Sequence, residues 1–233
     1  MNKEIQEQLD IFKSMSLSSK EAAEQLNKIR DKSNIQQTVL LISLVRVIKY
    51  FDAYILLVEN GFGEPASDLI RSMYHTLLWM RWSLISKENA EIYFNTGGED
   101  LKRMLNKSIH RGIINIEGAE DPQKILETLY EMTKNINKPR VQQQADETGY
   151  SDTHMLIYTT LAGISHGSIN LFKNDKTCSY MPDDENIEPF FAIANNIFID
   201  CTIVAEQYFK QGTIRPVPDT FKLTGLKKGA NNE

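Results

Sequence analysis

Residues 35–59, IQQTVLLISLVRVIKYFDAYILLVE, decide the fold class of this chain. Apolar side chains cover most of the circumference of the helix that this stretch predicts, so we expect that helix to be central. Asn60 and Gly61 predict its end, and Pro65 suits the first turn of the next helix. A central apolar helix requires other helices to cover it, which indicates a helical bundle.

Further helices are predicted on both sides of this central stretch. The first is amphipathic, with apolar residues spaced mostly three and four apart from Lys3 to about Arg30, and a serine-rich part at 14–19 that loosens it. The others are expected at about 63–86, 87–94, 99–110, 121–135, 151–172 and 187–211. The polar stretch 137–148 has no apolar periodicity and is predicted to be a connector. The sequence thus predicts an all-α, multi-helix bundle of about seven to eight helices.

The predicted organisation has three parts. Residues 1–34 form the N-terminal amphipathic helix, residues 35–212 form the helical bundle domain, and residues 213–233 form a flexible C-terminal tail. The tail is expected because Pro216 and Pro218 prevent continuation of the last helix.

Composition excludes several classes of function. A net charge of −5 gives no broad attraction to nucleic acid or to an anionic membrane. The two apolar stretches at 39–58 and 69–85 contain charged residues that would be costly in a bilayer, and the N-terminus lacks the apolar core of a signal peptide. Two cysteines, Cys178 and Cys201, indicate reduced thiols rather than a disulfide framework. We therefore expect a cytoplasmic protein, without a membrane segment, a metal or a cofactor.

Two predicted helices contain residue types suited to RNA cleavage. Metal-independent cleavage needs a group that moves a proton and a cation near the phosphorane-like transition state, roles that histidine and arginine can fill. Arg71 and His75 are four residues apart and share one helical face. His166 lies on a later predicted helix with Ser165 and Tyr158 in its neighbourhood. We predict that these helices meet, with Arg71, His75 and His166 as catalytic residues and Tyr158 and Ser165 as substrate contacts.

A second arginine and histidine pair lies on the predicted helix 99–110. Arg103 and His110 are seven residues apart and share a face, but about 0.4 matches of this kind are expected by chance. A solvated helix end explains the pair more simply. Together with Arg111 these residues still belong to the most basic local patch, and we predict that it supplies additional contacts to a phosphate ligand.

Three motifs resemble those of a known family. LLVENG at 56–61, ASDLIRS at 66–72 and YTTLAGISHGS at 158–168 are similar to the signature of a bacterial all-helical family catalogued as domain of unknown function 5677. The resemblance covers roughly 35–172. The family usually has a glutamate three or four residues after the arginine, where this chain has Tyr74 and His75.

The family is in turn similar to the HEPN-type helical bundles, many of which are dimeric, metal-independent ribonucleases in toxin and phage-defence systems. The resemblance therefore implies a homodimer, an RNA substrate, and an antitoxin or another defence protein as partner.

Other interpretations of the same residues remain open. Arg71 can pair with Asp68 or cap a helix, and His166 can bind a backbone carbonyl at a helix crossing. His154 and Tyr158 suggest a pair at a helix start near the surface. The alternatives to a ribonuclease are a non-catalytic module that dimerises or binds a partner through the N-terminal helix, and a sensor of a small anionic ligand.

Overall fold

The computed structural model describes residues 3–110, 122–133, 137–155, 157–158 and 188–212. This part of the chain forms helices and contains no strand, which confirms the prediction of an all-α bundle. Residues 151–155 and 157–158 are also helical. The seven helices with defined bounds are α1 Lys3–Ile29, α2 Ile35–Glu59, α3 Gly63–Ile85, α4 Lys87–His110, α5 Pro122–Thr133, α6 Val141–Thr148 and α7 Glu188–Gln211. The C-terminal tail predicted at 213–233 lies outside the described residues.

Helix α2 is the centre of the bundle, as its apolar sequence predicts. It packs against α1, α3, α4 and α7. Its Phe51 ring is fully buried and stacks on Phe198 of α7, with 4.0 Å between the ring centroids. Burial is not complete around the helix, however, because Ile42 and Leu56 are exposed.

The two ends of α2 follow ordinary capping rules. At the start, the backbone N–H of Gln37 donates to the side-chain oxygen of Asn34 at 3.1 Å, which satisfies one of the free donors of the first turn. At the end, Gly61 adopts a left-handed conformation with φ 78°, which glycine accommodates without a steric penalty. The chain then reverses into α3, and α2 and α3 form the most extensive helix pair in the described part.

Helix α1 is continuous through the serine-rich part at 14–19, where a looser helix was expected. Ser16 and Ser19 are buried and face the bundle rather than solvent. The Ser16 hydroxyl donates to Asp52 of α2 at 2.5 Å, and the Ser19 hydroxyl is 3.3 Å from that of Thr202 on α7. The polar pattern reflects hydrogen bonds to neighbouring helices, which a helical hydrophobicity pattern does not reveal.

Two other segments differ from the prediction. Helix α4 runs without a break through Gly97, whereas the sequence predicted two separate helices there. The predicted connector at 137–148 contains a two-turn helix, α6, in which Gln142 and Gln143 donate to carboxylates four residues later. These local hydrogen bonds stabilise a helix that has no apolar periodicity by which the sequence could predict it. None of the described helices combines the length and apolar character that crossing a membrane requires.

Candidate functional site

One face of α3 meets the segment 150–158 in three successive side-chain contacts, which we call the α3 ladder. The three residues of the segment are four apart and therefore lie on one helical face. The pairs of the ladder, from its buried end to its open end, are Arg81 with Tyr150, Tyr74 with His154, and Arg71 with Tyr158.

The buried end of the ladder contains an ion pair. Arg81 Nε donates to Asp200 Oδ2 of α7 at 3.0 Å and Nη2 donates to Oδ1 at 2.5 Å. The Tyr150 hydroxyl also donates to Asp200 Oδ2, and the Arg81 guanidinium lies 5.4 Å from the Tyr150 ring centroid. Arg81 and Asp200 are only 3% and 2% exposed, so this end joins helices and is closed to a macromolecular substrate.

The middle of the ladder is a pair of stacked rings. His154 Nδ1 is 3.2 Å from the Tyr74 hydroxyl, and the two ring centroids are 5.8 Å apart with 22° between the planes. Burial lowers the pKa of His154, and the negative charge of Asp146 only partly opposes this, so the neutral imidazole is favoured. The sequence-based expectation that His154 lies near the surface is wrong, because the residue is 4% exposed. Its pairing with Tyr158 is confirmed by stacked rings at 4.9 Å.

The open end of the ladder contains the half-buried guanidinium of Arg71. Arg71 Nη2 donates to the Tyr158 hydroxyl at 3.3 Å, and the guanidinium lies 5.2 Å from the centroid of the same ring. Within the described residues Arg71 has no carboxylate partner, so the ion pair with Asp68 that the sequence left open is not formed. A guanidinium that is oriented but not neutralised is suited to bind an anion.

His75 lies one turn beyond Arg71, next to the open end. Packing around its ring lowers the pKa of His75, and the positive charges of Lys138 and Arg71 lower it further. The residue as a whole is nevertheless exposed, and its ring lies 6.3 Å from that of Trp79. The imidazole is therefore mainly neutral at physiological pH, beside a fixed positive charge, and its unprotonated nitrogen can accept a proton.

The structure describes only part of the predicted site. Arg71, His75 and Tyr158 are described, and Arg71 and Tyr158 are in contact. His166, Ser165 and Arg111 lie outside the described residues. Arg103 and His110 belong to α4, but their side chains are not among those described. The roles assigned to these residues stay predictions.

Sequence reasoning missed most of the ladder. Tyr150, His154 and Tyr158 have the spacing of one helical face, which was a usable signal. Arg81 within an apolar helix was a second signal, since a buried arginine requires a partner. Nothing in the sequence indicated that the partner would be Asp200, which is distant along the chain. In the described part, no three histidine, cysteine, aspartate or glutamate side chains form a group that could hold a metal ion.

The fold and the ladder define an all-α bundle protein with a half-buried arginine that no carboxylate of the described residues neutralises. The model of a family described as "Family of unknown function (DUF5677)" matches residues 37–181, more than half of the chain, so the chain belongs to that family. The matched part contains nearly all of α2, all of α3 and the segment 150–158, and therefore all six residues of the α3 ladder. No curated protein and no solved structure matches the chain.

Proposed function

We propose that the chain is a HEPN-like bacterial protein that binds RNA at Arg71 and cleaves it without a metal ion, in the cytoplasm, during stress or phage defence. One observation carries the proposal. Arg71 is held by the Tyr158 hydroxyl and ring, and no carboxylate of the described residues pairs with it, so its positive charge is available for a phosphate. The family's similarity to HEPN-type bundles supports the choice of RNA among phosphate-containing ligands.

The chemistry follows from the two groups on α3. His75 accepts the proton of the RNA 2′-hydroxyl, whose oxygen attacks the adjacent phosphorus while the bond to the 5′-oxygen breaks. Arg71 stabilises the negative charge on the phosphorane-like transition state. A second acid protonates the departing 5′-oxygen, the role that the sequence suggests for His166. The products are a 2′,3′-cyclic phosphate and a free 5′-hydroxyl, so atoms and protons balance without a cofactor.

The lowered pKa of His75 fits the role of a base. A general base must be deprotonated at the working pH, and packing together with the positive charges of Lys138 and Arg71 favours that form. With an overall charge of −5, the chain depends on a local cluster of cations to attract RNA. The basic patch with Arg103, His110 and Arg111 is proposed as a second phosphate contact.

Cleavage of total RNA in EDTA tests the proposal. We expect wild-type protein to cleave, Arg71→Ala to lose about 100-fold or more of the rate, and His75→Ala to lose a comparable amount. Arg46→Ala is the matched control, because Arg46 is an exposed arginine of α2. Its removal should leave the rate of RNA cleavage unchanged. Absence of cleavage by the wild type, or equal rates for wild type and Arg71→Ala, would exclude this function.

A second candidate function is a non-catalytic module that dimerises or binds an antitoxin or another defence protein. It is favoured by α1, whose outer side exposes Ile11 and Leu17 at 57% and 59%. Light scattering at micromolar concentration tests the proposed homodimer, and Ile11→Ser/Leu17→Ser should shift the measured mass toward a monomer. An unchanged mass for that variant would remove α1 from the interface.

A further inference from the structure

Within the described part of the chain, one side chain orients Arg71. Its guanidinium donates to the Tyr158 hydroxyl and lies over the Tyr158 ring, and no carboxylate holds it among the described residues. A long flexible side chain follows the position of the group that anchors it. The position of the Tyr158 ring therefore decides where the positive charge points.

The Tyr158 ring is itself held by His154. The two residues are one helical turn apart, and their rings stack with 4.9 Å between centroids and 29° between planes. His154 is fixed in turn by the buried Tyr74, through the 3.2 Å contact to its hydroxyl and a second stack at 5.8 Å. Tyr74, His154 and Tyr158 thus form a continuous stack from the core to Arg71.

We propose that His154 is a positioning residue of the anion site: its imidazole ring, clamped to Tyr74, holds Tyr158 beneath Arg71. This inference rests on the proposed binding of RNA at Arg71. His154 is buried and does not itself reach a ligand, so it acts only through Tyr158. The flat ring, rather than a charge, is the property that matters.

Two substitutions of His154 separate the ring from the rest of the side chain. His154→Leu fills the space without a flat ring, whereas His154→Phe keeps one, and both leave the Tyr74 hydroxyl equally without its partner. Binding is measured by fluorescence anisotropy with a short 2′-O-methyl oligoribonucleotide, which has no 2′-hydroxyl and cannot be cleaved. We expect the Leu variant to bind about threefold more weakly than the Phe variant, the size of a lost cation–π contact.

A double-mutant cycle shows whether His154 acts through Tyr158. In a Tyr158→Ala chain, the Leu and Phe variants should bind the oligonucleotide equally, because the ring has nothing left to position. Met155→Ala is the control, since Met155 is the next residue of the same helical segment and is exposed. It should bind as the wild type does. If the unpaired Tyr74 hydroxyl prevents folding, both variants are made in a Tyr74→Phe chain.

The outcomes distinguish this inference from the proposed function. If the wild type binds and Arg71→Ala does not, but the Leu and Phe variants bind equally, the positioning role is overturned and the anion site stands. A difference between Leu and Phe that persists in the Tyr158→Ala chain overturns it as well. If the wild type does not bind, or Arg71→Ala binds equally well, the RNA site fails and the inference fails with it.

Discussion

The buried ion pair between Arg81 and Asp200 illustrates how a single residue can decide stability. Two charges removed from water stabilise a fold only while each satisfies the other, and removing one of them leaves an uncompensated buried charge. The Tyr150 hydroxyl shares Asp200, so three separate parts of the chain depend on one carboxylate. The pair joins α3 to α7 below the open end of the ladder.

We expect Asp200→Asn to lower the free energy of unfolding by about 3–5 kcal/mol, because it removes a buried carboxylate that pairs with the Arg81 charge. Urea denaturation monitored by circular dichroism measures the loss. The control is Glu206→Gln, which removes a carboxylate of the same helix from its exposed contact with Lys210. It should change stability by less than about 1 kcal/mol. Equal effects of the two substitutions would show that burial of the pair is unimportant.

The histidines of the site predict how stability depends on pH. Burial lowers the pKa of His154, and packing lowers that of His75, relative to the ordinary value of 6.5. As the pH falls through 6.5, the unfolded chain therefore takes up protons that the folded chain does not, and folding becomes less favourable. Stability continues to fall until the pH is below the lowered pKa values of the two folded-state histidines.

Unfolding free energies measured from pH 7.5 to 5 test this prediction. The wild type should lose stability over the window, and His154→Phe should lose less, because one of the two histidines no longer takes up a proton on unfolding. A variant with the same pH slope as the wild type would contradict the assignment of a lowered pKa to His154.

At the scale of single residues, the sequence identified the residues near the open end of the ladder but not the side chains that they contact. Arg71 and His75 were identifiable because their spacing places them on one helical face. The contact between Arg71 and Tyr158 required two helices to meet in a particular register, which a spacing rule cannot supply. Burial of His154 was missed for the same reason, since a polar ring at a predicted helix start is usually exposed.

Among the elements, α1 shows how an amphipathic sequence pattern packs a helix against the bundle. Its inner side buries Leu9 and Phe12 against the bundle, and the Phe12 ring lies 5.1 Å from that of Phe51. Its outer side exposes Leu17. The same helix therefore contains a buried and an exposed leucine. Comparing substitutions at the two positions tests whether α1 is held by its buried side.

We expect Leu9→Ala to cost about 2–5 kcal/mol of unfolding free energy, because Leu9 is fully buried and alanine leaves a cavity. Leu17→Ala, at a position 59% exposed, should change stability by no more than about 0.5 kcal/mol. Chemical denaturation of the two variants beside the wild type provides the measurement. Similar losses for both would mean that α1 does not dock with this face.

Prediction of the elements succeeded where apolar residues repeat and failed where hydrogen bonds act instead. Helices α2 and α3 have strong apolar patterns, and their bounds agree with the sequence. Helix α6 is polar, so only its glutamine–carboxylate bonds and the left-handed Gly149 at its end account for it. The single helix α4 was divided in two by the prediction, because Gly97 and Gly98 lower helix propensity without forbidding a helix.

At the scale of the whole molecule, the residues that the family model matches do not include all of the helices that form the core. The family model ends at residue 181, before α7 begins at Glu188. Yet α7 supplies buried residues that complete the core around α2, including Phe191 and Phe198. It also supplies Asp200, the counterion of Arg81. In this chain, therefore, a helix beyond the matched segment completes the core to which that segment contributes.

We expect a chain ending at residue 187 to lose cooperative unfolding, because it lacks the apolar surface that covers α2 and the Asp200 carboxylate that pairs with Arg81. A chain ending at Gly212 is the control, since it keeps every described residue of α7. Thermal unfolding followed by circular dichroism should give a single sharp transition for the control and a broad one, or none, for the shorter chain. A sharp transition at the wild-type temperature in the shorter chain would mean that residues 1–187 fold alone and that α7 is an accessory to them.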